Sequence, residues 1–320
     1  MNKFDVLIVG AGPIGLTCGI EAVKRNISHL IIEKGCLVNS LFHYPTNMTF
    51  FSTSDRLEIG NIPFVSHGDK PTRREALEYY RRVADSWNLN IHTYETVTDI
   101  IRKENQFIIQ TSKSQYLAKH VIVSTGFYDY PSKLNISGED LPKVMHYFTE
   151  AHPYSYLNLA VIGGGNSAVD VALETFRRKS KVTMIVRESS LKESVKYWVK
   201  PDIENRIKEG SIKALFNSEV KEIRETEIDV LTPFGMMTIK NDFVFAMTGY
   251  QPDYQFLSKI GIDVSGDEIR VPKFNPETFE TNIDGLYLAG VVCGGMETNK
   301  WFIENSRDHA EKIFNHIQKQ

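Results

Sequence analysis

The chain has 320 residues, of which 42% are hydrophobic, and 37 basic against 40 acidic side chains give a formal net charge of −3. Such a length allows two domains of ordinary size, each with its own core. Because no long run of one charge sign occurs, the sequence offers no footprint for nucleic acid or an anionic membrane. No apolar run approaches the roughly 20 residues of a membrane span, and a core strand begins the chain. We therefore expect a cytoplasmic protein without a membrane partner.

Cysteines are too few and too scattered for a disulfide framework. Only Cys18, Cys36 and Cys293 occur, and no two of them have the spacing of a CxxC pair or of a zinc ligand set. The sequence therefore predicts no bound metal.

A glycine turn follows the first apolar run. The run at 4–9 is too short for a helix and predicts a buried parallel strand. In GAGPIG, Gly10 permits a tight turn, Gly12 lets a pyrophosphate approach the backbone, and Gly15 lets the next helix pack on the strand. That helix begins near Pro13, where free amides and the helix dipole favour a phosphate. A dinucleotide site is predicted here.

An acid follows the second strand at the spacing that such a site requires. Glu33 ends the strand at 30–32 and lies 18 residues beyond Gly15, from 33 − 15. A carboxylate there accepts hydrogen bonds from ribose hydroxyls. Lys34 and, in the long excursion that follows, Asn39 are counted with Ile14 among the cofactor-binding residues. The residues up to this point leave open which dinucleotide binds.

The same pattern recurs in the middle of the chain. A strand at 159–162 leads into Gly163 to Gly165, Ala168 takes the place of the third glycine, and a helix follows. We expect Gly163, Gly165, Asn166, Ser167 and Ala168 to bind a second dinucleotide.

Arg187 is the residue that distinguishes the two sites. The strand at 182–186 ends in this arginine, 19 residues after Ala168, from 187 − 168. Because a cation at this position suits the additional phosphate of NADP, the second site favours NADPH over NADH.

The remaining segments predict how the two domains are connected. A helix is expected over 73–87, short strands at 90–94, 96–103, 106–111 and 120–124 form a small β layer, and Gly126 and Gly249 are exit turns. A last strand at 286–289 leads through Gly290 and Val291 to one helix from about 300 to 316. We predict an α/β protein of two three-layer Rossmann-type domains. The discontinuous first domain comprises 1–118 and 250–320, and 119–249 is inserted into it.

These motifs in this order resemble the small two-dinucleotide flavoprotein reductases, of which thioredoxin reductase is the best known. The supporting residues are Glu33, Arg187, STG at 124–126 and GLYLAG at 285–290. The resemblance implies FAD at the first site and NADPH at the second. Gly126, Gly290 and Val291 are counted among the cofactor-binding residues by this resemblance, although Val291 stands where the family usually has an acid that contacts the ribityl chain of the flavin.

One feature of thioredoxin reductase is absent. Where that family has its redox CxxC, this chain has His146, Tyr147, Phe148 and Thr149. A closer resemblance, carried by GCLVNSL, YPTNMTFFST, NDFVFAMTGYQPD and FIEN, is to the bacillithiol disulfide reductase family, which lacks CxxC. Members usually place a cysteine after the proline of the first glycine turn, where this chain has Ile14.

The resemblance implies an NADPH-dependent FAD enzyme that reduces a small-molecule disulfide or a small redox protein at the flavin. It also leads us to expect a homo-oligomer. His146 is a candidate proton donor, and Cys293, expected at a helix N-terminus, is the candidate thiol. An enzyme that passes electrons from FAD to a ferredoxin-like protein, a quinone or oxygen stays open, as does a flavin sensor without catalysis.

Overall fold

The computed structural model describes residues 1–320, which form two compact units. Unit 1 comprises Met1–Tyr130 and Tyr250–Gln320, and unit 2 comprises Pro131–Gly249. The strands in chain order are β1 (Asn2–Val9), β2 (His29–Ile32), β3 (Ile91–His92), β4 (Val97–Lys103), β5 (Gln106–Thr111), β6 (Gln115–Val123), β7 (Tyr130–Pro131), β8 (Val144–Met145), β9 (Asn158–Ile162), β10 (Lys181–Ile185), β11 (Lys213–Leu215), β12 (Glu219–Ile223), β13 (Glu227–Thr232), β14 (Gly235–Lys240), β15 (Phe243–Ala246), β16 (Tyr250–Gln251) and β17 (Leu286–Leu288). The helices are α1 (Pro13–Lys24), α2 (Asn39–Phe42), α3 (Arg73–Ser86), α4 (Asn166–Arg177), α5 (Lys200–Lys208), α6 (Tyr254–Lys259), α7 (Ile303–Ser306) and α8 (His309–Ile317).

Unit 1 is built on a sheet of order β3-β2-β1-β6-β5-β4. The central strand β1 pairs in parallel with β2 and β6, so that Leu7 lies opposite Leu30 on one side and Val121 on the other. All three leucine and valine side chains are fully buried, as expected of a parallel sheet covered on both faces. The first half of β6 pairs with β5, and its second half pairs with β17.

Two predicted features of unit 1 differ in the structure. The short antiparallel strands are not a separate layer, because β6 hydrogen-bonds them directly to the parallel sheet. The single helix expected over 300–316 is wrong, since α7 ends at Ser306 and α8 begins at His309. The Ser306 hydroxyl donates to the carbonyl of Phe302, a local hydrogen bond of the kind that bends or weakens a helix.

Unit 2 repeats the parallel arrangement on a smaller scale. Its main sheet has the order β11-β10-β9-β15-β8, with every pair parallel. A second sheet of antiparallel strands has the order β12-β13-β14. One apolar cluster packs α4 and α5 against the main sheet, and another fills the space between the main sheet and the second sheet. The glycine turn at 163–165 joins β9 to α4.

The chain passes from unit 1 to unit 2 between Tyr130 and Pro131 and returns between Gly249 and Tyr250. The sequence placed the first crossing at 118/119. It falls later because β6 continues in the first sheet to Val123, and the segment after it stays with unit 1. No helix of the structure has both the length and the apolar character needed to span a lipid bilayer.

Candidate active site

A cavity of about 420 Å3 lies at the carboxyl ends of the parallel strands of unit 1. The residues that the sequence assigned to the first dinucleotide converge on it. Its walls include Gly10, Gly12, Pro13, Ile14, Glu33, Lys34, Asn39, Gly126, Gly290 and Val291. This edge of a parallel sheet is where open α/β folds bind ligands.

The first glycine turn has the geometry of a phosphate cradle. Gly10 has a φ of +104°, and a Cβ there would lie 2.7 Å from the carbonyl oxygen of Ser124. A Cβ on Gly12 would meet nothing within 4 Å, so this position opens onto the cavity. Gly15 lies beneath the turn, where a Cβ would come within 1.9 Å of the Gly10 carbonyl oxygen. Because α1 has no side-chain cap, its first amides are available to an anion.

Glu33 lies in the cavity wall with most of its surface buried. Its carboxylate accepts hydrogen bonds from the amide of Ala11 at 2.8 Å and from the amide of Gly35 at 3.0 Å. Burial raises the pKa of this carboxyl group, although the two amides act in the opposite direction. The amides hold the carboxylate in place, and its remaining lone pairs can accept from a ribose.

The wall beside the glycine turn, where a Cβ on Gly290 would lie 3.2 Å from Ile14, is held by a buried histidine that the sequence did not single out. The amide of Gly290 donates to Nδ1 of His309 at 3.1 Å, and His309 is fully buried. The imidazole stacks on Phe279, with 3.9 Å between ring centroids, and meets the edge of Trp301 at 4.5 Å. Burial lowers the pKa of His309 to about 4, so the ring is neutral at physiological pH.

Trp301 itself lines the cavity and carries a buried indole N–H without a hydrogen-bond partner. A buried donor left unpaired costs free energy that a ligand acceptor recovers. Together with the open Gly12 and the uncapped start of α1, this donor fits a bound dinucleotide with hydrogen-bonding ring atoms. Neither Trp301 nor His309 belongs to a spacing pattern, which is why the sequence did not reveal them.

The second glycine turn has a similar shape in unit 2. Gly163 has a φ of +124°, and a Cβ there would lie 2.5 Å from the carbonyl oxygen of Met247. Gly165 is the N-cap of α4, and no side chain caps this helix. The side-chain amide of Asn166 is engaged within the protein, because it donates to the backbone carbonyl of Ser194 and accepts from the backbone amide of Lys196. The following loop is thereby fixed beside the turn.

Two cations lie near this turn, and one is freely exposed. The side chain of Arg187 is 81% exposed and lies 3.5 Å from Glu188, and its charge also helps to lower the pKa of the Glu219 carboxyl group. Lys192 approaches the turn, since its Cδ would lie 3.7 Å from a Cβ on Gly165. Ser167 and Ala168 occupy the first turn of α4, where Ala168 is fully buried.

No cysteine lines the cavity of unit 1. Cys18 and Cys293 are buried, and burial raises the pKa of both thiols. Burial also raises the pKa of the half-buried Cys36. A helix N-terminus at Cys293 is wrong, because this residue lies inside the 3-10 turn Gly290–Gly294 and the next helix begins at Ile303. The thiolate stabilisation expected there is therefore absent.

His146 belongs to unit 2 and does not line the cavity of unit 1. Its Nε2 is 3.5 Å from a carboxylate oxygen of the buried Glu139. Burial lowers the pKa of His146, although Glu139 opposes the shift. Glu139 also accepts the amides of Leu134 and Asn135, which indicates a structural carboxylate. The role of His146 as a proton donor stays a prediction.

Each of the two glycine turns joins a parallel strand to a helix without a side-chain cap, which is the geometry of a dinucleotide site. Two such sites in one chain are typical of an oxidoreductase. A family model described as pyridine nucleotide-disulphide oxidoreductase matches residues 7–290. The bacilliredoxin reductase Bdr of Bacillus subtilis (strain 168) is 44% identical over 322 residues, which cover 100% of this chain and 99% of the relative.

Solved structures agree with these matches. The bacillithiol disulfide reductase Bdr (YpdA) from Staphylococcus aureus has a TM-score of 0.97 and 41% identity, with 100% of each chain covered. The enzyme of the same name from Bacillus cereus has a TM-score of 0.97 and 40% identity, with 99% of each chain covered.

The chain therefore belongs to the pyridine nucleotide-disulphide oxidoreductase family, in its bacillithiol disulfide reductase branch. It is an oxidoreductase, and the cofactors of the family are FAD and NADPH. These comparisons confirm the two-domain flavoprotein fold, and they do not favour electron transfer to a ferredoxin-like protein, a quinone or oxygen.

Proposed function

We propose that this chain reduces the disulfide of a small thiol of the bacillithiol type with electrons from NADPH. The balanced reaction is RSSR + NADPH + H+ giving two RSH and NADP+. The observation that carries the proposal is a ligand cavity built on the first glycine turn, with no cysteine in its wall. The full-length similarity to enzymes named for bacillithiol disulfide supports the choice of substrate.

We assign FAD to the cavity of unit 1. Glu33 accepts the ribose hydroxyls, the amides at the start of α1 receive the pyrophosphate, and Gly290 and Val291 line the part of the wall that His309 supports. Lys34, which pairs with Asp129 at 2.9 Å, closes the wall beside Glu33. A flavin held there would supply two-electron chemistry between NADPH and the disulfide.

We assign NADPH to the glycine turn of unit 2. Gly163, Gly165 and the first turn of α4 receive its pyrophosphate. The exposed guanidinium of Arg187, with Lys192 beside the turn, recognises the additional phosphate through charge-assisted hydrogen bonds. This division assigns unit 1 to FAD and unit 2 to NADPH.

In this proposal no thiol of the chain takes part in the reaction. A cysteine acts on a disulfide only as an accessible thiolate, and burial keeps Cys18 and Cys293 protonated. The cavity instead supplies hydroxyl donors. Tyr44 lines it, and burial raises the pKa of this phenol to about 12, so the hydroxyl keeps its proton and can donate a hydrogen bond to a leaving sulfur, whose proton comes from solvent.

NADPH consumption with different acceptors tests the proposed function. With bacillithiol disulfide we expect two thiols to form for each NADPH consumed. With a quinone or a ferredoxin we expect little NADPH consumption. Turnover with the quinone or ferredoxin and none with the disulfide would contradict the proposal.

We further propose that the protein works in the cytoplasm as a homo-oligomer. The absence of a membrane-spanning helix is compatible with this location. Sedimentation of the FAD-loaded protein measures its mass, and a single species of one chain's mass would exclude the oligomer.

A further inference from the structure

A second concave surface lies in unit 2, at the opposite edge of its sheet from the glycine turn. It has a volume of about 780 Å3 and is lined by the amino ends of β9, β10 and β11 together with β14. The glycine turn follows the carboxyl end of β9, so the surface is separate from the proposed NADPH site. We call it the basic groove and define it by Arg177, Lys179, Lys181, Lys213 and Lys240.

The charged side chains that line the basic groove are all positive, and Asp242 at its edge accepts hydrogen bonds from the lining residue Asn158. Five cationic side chains line it and no Asp or Glu does, although acidic residues outnumber basic ones in the whole chain. Arg177 is neutralised in part by Asp202 at 2.7 Å. The four lysines have neither a carboxylate within 4.0 Å nor a side-chain hydrogen bond, whereas Lys133 and Lys196 elsewhere in unit 2 are paired at 2.8 and 2.7 Å.

Four lysines without an ion-pair partner give this concave surface an excess of positive charge, which a bound anion neutralises. Cationic clefts of this kind also concentrate anions from solution, because the low-dielectric walls focus the field. Ammonium groups bind phosphate and carboxylate as point charges, so the recognition depends on charge number more than on shape. A ligand with several negative charges therefore fits the groove better than a monoanion.

The floor of the groove is apolar. Leu159 and Val182 are buried beneath it, and Phe176 and Ile239 contribute partly buried walls. An apolar floor below a cationic rim suits an organic anion rather than a bare inorganic ion. The volume lies in the range of about 300–1,000 Å3 that is usual for small-molecule sites.

We propose that the basic groove binds a small organic anion that carries at least two negative charges, as phosphate or carboxylate. This site is independent of the disulfide reduction proposed above. A concave surface favours a small ligand over the flat face of an acidic protein.

Calorimetry on the FAD-loaded protein tests this directly, with NADP+ at saturation so that the glycine turns are occupied. The probes are pyrophosphate, citrate and naphthyl phosphate, which separate bare phosphate, carboxylate and an anion with an apolar body. We expect dissociation constants below about 1 mM for naphthyl phosphate or citrate. Added salt should weaken this binding because it screens the charges. Binding of pyrophosphate alone would overturn the proposal, because the ligand would then be an inorganic ion. No measurable binding of any probe would also overturn it, including the case in which only an acidic protein binds.

The variant Lys181→Gln with Lys213→Gln locates the site. Its matched control is Lys103→Gln with Lys319→Gln, which removes the same charge. Both lysines are exposed residues of unit 1 and make no ion pair. We expect at least about tenfold weaker probe binding in the groove variant and unchanged binding in the control. Unchanged NADP+ affinity in the groove variant shows that unit 2 is folded. Equal weakening in both variants, or none in either, would overturn the assignment.

Discussion

The backbone amide of Gly290 donates to Nδ1 of the fully buried His309, with 3.1 Å between the two nitrogens. Because Nδ1 accepts this hydrogen bond, the ring proton is on Nε2. Gly290 lines the unit 1 cavity with a φ of +83°, a conformation that side chains other than glycine rarely adopt. His309 thus holds part of a cofactor wall that it does not itself form.

Substitution of His309 separates this hydrogen bond from simple packing. His309→Leu leaves the Gly290 amide unpaired in the core and should lower the free energy of unfolding by about 1–3 kcal/mol. His309→Asn places an amide oxygen near the former Nδ1 and should recover part of that loss. FAD per chain after gel filtration should fall in His309→Leu more than in His309→Asn. Equal FAD content in both variants would assign His309 to packing alone.

His309 should also make stability depend on pH in the acidic range. Its pKa falls from an ordinary 6.5 to about 4 in the folded protein because of burial. Between these values the unfolded chain binds more protons than the folded one, so the free energy of unfolding rises with pH and is lost as pH falls. Over this pH range the shifted pKa of His309 changes the free energy of unfolding by about 3 kcal/mol in total. Denaturant unfolding at several pH values measures the free energy of unfolding as a function of pH. This free energy should change less with pH for His309→Asn than for the parent protein.

Removal of the Glu33 carboxylate should weaken FAD binding. Glu33→Gln keeps the size of the side chain but loses the charged acceptor for ribose hydroxyls, so we expect at least about tenfold weaker FAD binding. Glu21→Gln is the matched control, because Glu21 is also buried in unit 1 but pairs with Lys24 and does not line the cavity. Fluorescence titration of apoprotein with FAD gives both affinities, and equal losses would remove Glu33 from the site.

Arg187 should determine the choice between the two nicotinamide cofactors. Arg187→Ala removes the exposed guanidinium, so the preference for NADPH over NADH should fall by about tenfold or more with little change for NADH. Arg178→Ala provides a control with an exposed arginine at the end of α4. Stopped-flow bleaching of the flavin measures both reductants. An unchanged preference in Arg187→Ala would place the phosphate elsewhere.

The parallel core of each unit was predictable because strand, glycine turn and helix are encoded locally. The run at 4–9, Gly10 to Gly15 and the spacing to Glu33 predicted β1, α1 and the cavity wall in their observed places. Pairing of distant strands was less visible. Periodicity does not reveal that one strand, β6, hydrogen-bonds to β1, β5 and β17 together.

Site residues that act through burial were not predictable. Trp301 reaches the cavity wall, and His309 supports Gly290 from behind it, only because α8 and the segment before α7 pack back against the turn Gly290–Gly294, and no motif marks either residue. For Cys293, the glycines around it resemble a helix N-terminus in sequence, but the chain forms a 3-10 turn there and buries the sulfur. Local sequence cannot specify such burial, since it depends on distant parts of the chain.

If disulfide reduction needs no thiol of this chain, a protein without cysteines must still reduce the disulfide. In this protein, Cys18→Ala and Cys293→Ala replace the two buried thiols and Cys36→Ser replaces the half-buried one. FAD content and flavin reduction by NADPH provide the control for intact cofactor sites. We expect turnover of bacillithiol disulfide under NADPH to persist at a rate close to that of the parent protein. Loss of this turnover, with FAD content and flavin reduction retained, would contradict this expectation.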